Sequence, residues 1–107
     1  MTLQELQIRA YQQAEELGWR ERKIPIPEMI ALIHSEASEA LESWRNKELV
    51  SWQDKDGKPQ GIGSEFADIL IRIGHYAVDL GINLDLEVEQ KLKYNLTRGY
   101  RHGGKAG

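Results

Sequence analysis

A chain of 107 residues is long enough for one domain with a modest core, and only just comfortable as a monomer. The absence of cysteine excludes disulfides, zinc–thiolate sites and cysteine nucleophiles, and a formal net charge of -3 gives no electrostatic footprint for a nucleic-acid polymer. With 40% hydrophobic and 29% charged residues the composition is that of a folded soluble domain; Met1-Thr2-Leu3-Gln4-Glu5 lacks the basic and apolar regions of a secretion signal, and no apolar run approaches the roughly 20 residues of a membrane span, so the expected setting is the cytoplasm, with no membrane partner.

Thr2 and Glu5 have the spacing of a capping box, and Leu3, Leu6, Ala10, Ala14 and Leu17 recur at helical intervals until Gly18. This predicts a first helix, amphipathic and glutamine-rich on its wet side. Trp19 and the basic Arg20, Arg22 and Lys23 lead into Ile24-Pro25-Ile26-Pro27, where two X-Pro pairs disfavour helix and stiffen the connection. Pro27 suits the first turn of a second helix, whose stripe Ile30, Ile33, Ala37, Ala40, Leu41, Trp44 runs for about five turns.

Between residues 46 and 62, turn formers and charges cluster without period, which predicts a long loop with a tight turn at Asp56-Gly57 and one large apolar residue, Trp52. Ser64 is the expected N-cap of a third helix carrying Ile69, Leu70, Ile73, Tyr76, Ala77 and Leu80 and closing at Gly81. So much of its circumference is apolar that it should be central or sit at a subunit interface. Asp85 is the expected cap of a fourth helix through Val88, Leu92 and about Leu96. The segment from Arg98 onward is basic and glycine-rich, and is expected to be flexible without a ligand.

The chemistry lies in two acidic pairs. Glu36 and Glu39 border the stripe of the second helix, and Glu65 and Asp68 stand in the first turns of the third. Each pair has i,i+3 spacing and so shares one helix face. One such pair on a surface helix is ordinarily just solvated. Two, each beside an apolar stripe on successive helices, could meet, and four carboxylates in one place repel unless cations sit among them.

All-oxygen donors favour a hard divalent ion, Mg2+ first with Mn2+ as a substitute, over the Glu-x-x-His pattern of di-metal oxidoreductase bundles. His34, His75 and His102 have no partner spacing that nominates them as ligands, and read as packing or surface residues. Mg2+ shares its shell readily with phosphates, and the fifteen residues from Lys91 to Lys105 contain Lys91, Lys93, Arg98, Arg101 and Lys105 with no acid. Lys91 and Asn95 share a helix face, so metal on one side and basic groups on the other would form a phosphate pocket suited to water attack on phosphorus.

The order Glu36-x-x-Glu39, loop, Glu65-x-x-Asp68, Lys91-x-x-x-Asn95 resembles the MazG-like branch of the all-α nucleoside triphosphate pyrophosphohydrolases, from about residue 28 to 105. The resemblance implies an all-α, four-helix bundle completed by homo-oligomerisation as dimer or tetramer. It also implies Mg2+-dependent hydrolysis of a ribo- or deoxyribonucleoside triphosphate to the monophosphate and pyrophosphate, in nucleotide-pool house-cleaning or regulation. On that likeness Glu36, Glu39, Glu65 and Asp68 are the metal ligands, Lys91 and Asn95 the phosphate contacts, and Arg98, Arg101 and Lys105 basic groups that close over the phosphates. Trp19 and Trp44 would hold the base. Glu36 is the leading general base, although any of the four carboxylates could hold the water. The chain would be a single-domain member, without the second tandem domain of full-length MazG enzymes. The competing expectation is a catalytically silent helical module that binds a nucleotide or a protein partner and uses its carboxylates structurally.

Overall fold

A computed structural model describes residues 1–98. Four helices are present in this range: α1 (Leu3–Glu16), α2 (Ile26–Arg45), α3 (Ile62–Asp79) and α4 (Leu84–Leu96). The α2–α3 connection contains a two-stranded antiparallel ladder, β1 (Trp52–Gln53) with β2 (Pro59–Gln60), pairing Trp52 with Gln60 and Gln53 with Pro59. The architecture is helical as expected, and the ladder corrects the reading of residues 46–62 as loop throughout.

The capping box opens α1: Glu5 N donates to Thr2 Oγ1 and Thr2 N to Glu5 Oε1, both at 3.0 Å. Gly18 closes it with φ of 76°, and Trp19 N donates back to Ala14 O at 2.9 Å. Two caps differ from expectation. Ser64 lies inside α3, where its hydroxyl donates to Pro59 O at 3.2 Å, and Gly61 is the N-cap. At φ of 96°, a Cβ on Gly61 would stand 2.4 Å from Leu49 O, so only glycine fits where the chain passes so close. Asn83, not Asp85, caps α4 by accepting from Leu86 N at 3.1 Å, while Asp85 accepts from Gln4 N of α1.

The ladder is closed by a turn that Asp54 organises. Its Oδ1 accepts from Asp56 N at 2.9 Å and Lys58 N at 3.0 Å, and Gly57 has φ of 80°. Gly63 N donates to Val50 O at 2.8 Å, which ties this connection to the start of α3.

The central element is α3, packed on α1 along one side and α2 along another. The core is built from small residues: Ala10, Ala14, Ala40 and Ala77 are buried with Met29 and Tyr76, and Gly74 lets α1 approach through Leu6 and Ala10. Gln7 corrects the picture of an all-wet glutamine face, because it is buried as the clamp between α1 and the α3–α4 turn. Its Nε2 donates to Ile82 O at 2.8 Å and its Oε1 accepts from Leu84 N at 2.9 Å. Beyond that clamp α4 has no buried residue and packs on α1, with no comparable packing on α2 or α3. Large apolar side chains stay exposed on α2 and α3, among them Ile30, Trp44, Phe66 and Leu70. No helix among the described residues is long and apolar enough to cross a membrane.

Candidate metal centre

The packing of α2 against α3 brings the acidic pairs together. Glu36, Glu65 and Asp68 each contribute an oxygen to a group whose members lie within 4.8 Å of one another. Glu36 is buried, Glu65 half-buried and Asp68 open to solvent, so the cluster has a closed floor and an accessible rim. Glu39 is exposed and lies outside that triad, yet it is near enough to Glu65 to raise its pKa and so joins the site at its edge.

Two oxygens define the site's chemistry. Glu36 Oε2 and Glu65 Oε2 are both buried and both lack a hydrogen-bond partner. A buried carboxylate oxygen without a donor is costly, and this cluster holds two. The titration of Glu65 records the cost: burial first, then the nearby Glu39 carboxyl, then the negative charges of Asp68 and Glu36 raise its pKa to about 7. Burial and Glu36 also raise Asp68, opposed by the positive charges of Arg72 and Lys58. A hard cation would supply what both orphaned oxygens lack, and a donor set made only of carboxylates fits Mg2+ or a similar ion.

Arg72 is the site residue that the acidic spacing did not nominate. It lies four residues after Asp68 on α3, donates from Nε to Glu36 Oε1 at 2.8 Å, and donates from Nη1 to the Tyr76 hydroxyl at 3.1 Å. An i,i+4 acid–base pair was present in the sequence, but such pairs are too common on helices to single one out. Lys58 at the hairpin is a second such cation, near enough to Asp68 to lower its pKa.

Arg72 also borders a cavity of about 380 Å³ whose walls include Trp19, Ile24, Ile71, His75 and Tyr76. A second, larger cleft of about 630 Å³ continues past Trp19 along the α1–α2 connection to Met29 and Leu80. Trp19 lines both, whereas Trp44 is 66% exposed and lines neither. The two tryptophans therefore do not face each other across one pocket.

His75 forms part of the wall as a packing residue. Its Nε2 lies 3.3 Å from Arg20 Nη1 and 3.4 Å from Asp79, and Arg20 pairs with Asp79, with Glu15 at 3.1 Å, and stacks over the Tyr11 ring. Burial, with help from the charges of Arg20 and Arg72, lowers the His75 pKa against the pull of Asp79 and keeps the ring neutral.

The expected phosphate contacts lie on α4 and in the segment after it. Lys91 and Asn95 are exposed on α4, whose main packing is on α1, with none comparable on the helices that bear the carboxylates. Arg98 donates to Asn95 Oδ1 at 3.3 Å and leans over Tyr94. Arg101 and Lys105 lie outside the described residues. Comparison with protein families, with characterised proteins and with solved structures gives no match to this chain.

Proposed function

We propose that the chain is a divalent-cation-dependent nucleoside triphosphate pyrophosphohydrolase of the MazG-like type. The observation that carries this reading is the meeting of two acidic pairs from α2 and α3 around two buried, unpartnered carboxylate oxygens. Glu36, Glu65 and Asp68, with Glu39 at the rim, are the residues to hold Mg2+ or Mn2+. When bound, the ion neutralises phosphate charge and makes water a better nucleophile. The chain's own part is to orient and to move protons: a carboxylate of the cluster takes the proton of the attacking water, with Glu36 as the leading candidate. The triphosphate lies along the cluster's open rim, and the base enters the cavity beside Trp19. Water oxygen bonds to one of the two phosphorus atoms flanking the α–β bridging oxygen as the bond from that phosphorus to the bridging oxygen breaks, which yields the monophosphate and pyrophosphate.

The basic groups Lys91 and Arg98 and the amide of Asn95, with Arg101 and Lys105, contact the phosphates in an assembly of two or four copies. Support for an assembly is the exposed apolar surface of α2 and α3, which a monomer would leave in water. A second reading, a silent module that binds nucleotide without turnover, is favoured by one observation: α4, which carries Lys91 and Asn95, packs mainly on α1 and not on the helices that bear the carboxylates to a comparable extent.

A panel of canonical and modified nucleoside triphosphates with Mg2+, followed by pyrophosphate release, separates the two. Turnover is expected, and Glu39→Gln or Asp68→Asn should reduce it about a hundredfold or more with helical content unchanged. Binding without product from any triphosphate, in folded protein, would establish the silent module instead.

A further inference from the structure

The Arg72 guanidinium is held at two points. Nε donates to Glu36 Oε1 and Nη1 to the hydroxyl of Tyr76, a residue 4% exposed, so the plane of the group is fixed by contacts on two of its nitrogens. Glu36 in turn has little freedom, its side chain being only 10% exposed. With Oε1 engaged, Oε2 is the oxygen that remains without a partner. A carboxylate clamped in this way has one oxygen to offer a cation. Mg2+ demands compact octahedral geometry and retains waters, whereas Ca2+ accepts six to eight oxygens and readily takes both oxygens of one carboxylate.

We propose that Arg72, anchored by Tyr76, is a positioning residue that commits Glu36 to one-oxygen ligation and thereby sets a preference of the site for Mg2+ over Ca2+. This rests on the cation-binding part of the reading above and is independent of whether a triphosphate is hydrolysed. Arg72 thus acts through Glu36 and touches no reacting atom. Removing the guanidinium frees Oε1 and deletes a positive charge. The charge deletion tightens binding of both ions alike, while the freed oxygen favours Ca2+ alone.

The ratio of the two affinities is therefore the informative quantity. Calorimetric titration of the full chain with MgCl2 and with CaCl2, in the absence of nucleotide, measures it directly. The unsubstituted protein should bind Mg2+ more tightly than Ca2+, and Arg72→Met should move the ratio toward Ca2+ by about tenfold, the lower end of what partners of metal ligands contribute. Tyr76→Phe loosens the same clamp without removing the charge and should move the ratio the same way by less; it carries the test if Arg72→Met does not fold. A ratio unchanged or moved toward Mg2+ in the folded variants overturns the proposal, because the ion would then displace Arg72 or ignore it. Equal or tighter binding of Ca2+ by the unsubstituted protein also overturns it, and binding of neither ion overturns the cation site itself.

Discussion

Glu65 links the site's electrostatics to the stability of the fold. In the unfolded chain its carboxyl titrates near its ordinary 4.5, and in the fold at about 7, so the folded state holds the proton more tightly. The stabilisation from this difference is fully present below pH 4.5 and is lost as pH rises through 7. His75 has the opposite sign, since its lowered pKa contributes stability above its ordinary 6.5 that is lost as pH falls. Thermal unfolding in the presence of chelator should therefore show a Glu65 contribution that declines from pH 5 to pH 8. Glu65→Gln should remove that decline and leave the His75 slope, a rise in stability with pH. Mg2+ should act most strongly where Glu65 is ionised, raising the midpoint more at pH 8 than at pH 5.5. An Mg2+ effect equal at the two pH values would place the ion away from Glu65.

Among the elements, the α2–α3 connection does more than span a gap. The backbone of Gly61 passes within van der Waals range of Leu49 and Val50, and Gly63 N is bonded to Val50 O, so this crossing fixes where α3 begins and with it the height of Glu65 on Glu36. Gly61→Ala should cost about 1–3 kcal/mol from the positive φ alone, with more from the 2.4 Å approach to Leu49 O. It should also weaken Mg2+ stabilisation, read as a smaller shift of the unfolding midpoint. The four helices were legible because their apolar residues recur at helical spacing and because Thr2 with Glu5 is a strong local start signal. The meeting of the acidic pairs was legible from their i,i+3 spacing on successive helices, but not the face of α2 that is buried: Ile30, Leu41 and Trp44 of the expected stripe are exposed, and Met29, Glu36, Ala40 and Ser43 face inward instead. The cap of α3 was not, because Ser64 is a good cap by type while the true cap depends on Gly61 passing close to a segment eleven or twelve residues away. Arg72 and the burial of Gln7 were hidden similarly, since a polar residue's inward role depends on partners such as Tyr76 and Ile82 that only the packed fold brings near. Gln7→Ala should release the start of α4 and cost about 1–3 kcal/mol through the unmet backbone groups of Ile82 and Leu84, measurable by denaturant unfolding.

For the molecule as a whole, the small core and the exposed apolar surface have a common cause. Alanines and Gly74 let α1 and α2 lie close on α3, which leaves little volume for large side chains between them and pushes Phe66, Leu70, Ile30 and Trp44 outward. Phe66 and Leu70 are four residues apart and share a face of α3, next to the first turns that carry Glu65 and Asp68. A second copy seated on this face would bury them, draw the two acidic clusters into one assembly, and allow the exposed Lys91 and Asn95 on α4 of one chain to approach the carboxylates of the other. Under the proposed assembly, Leu70→Glu should therefore act at two levels at once. Light scattering at micromolar concentration should shift from oligomer to monomer, and pyrophosphate release should fall with it, although Leu70 is not a member of the acidic cluster. Helical content should stay close to that of the unsubstituted protein, because Leu70 is 50% exposed in the monomer and its loss empties no core. If Leu70→Glu is monomeric and fully active, the phosphate-contacting groups must come from the same chain, and α4 must then swing away from α1 to reach the carboxylates.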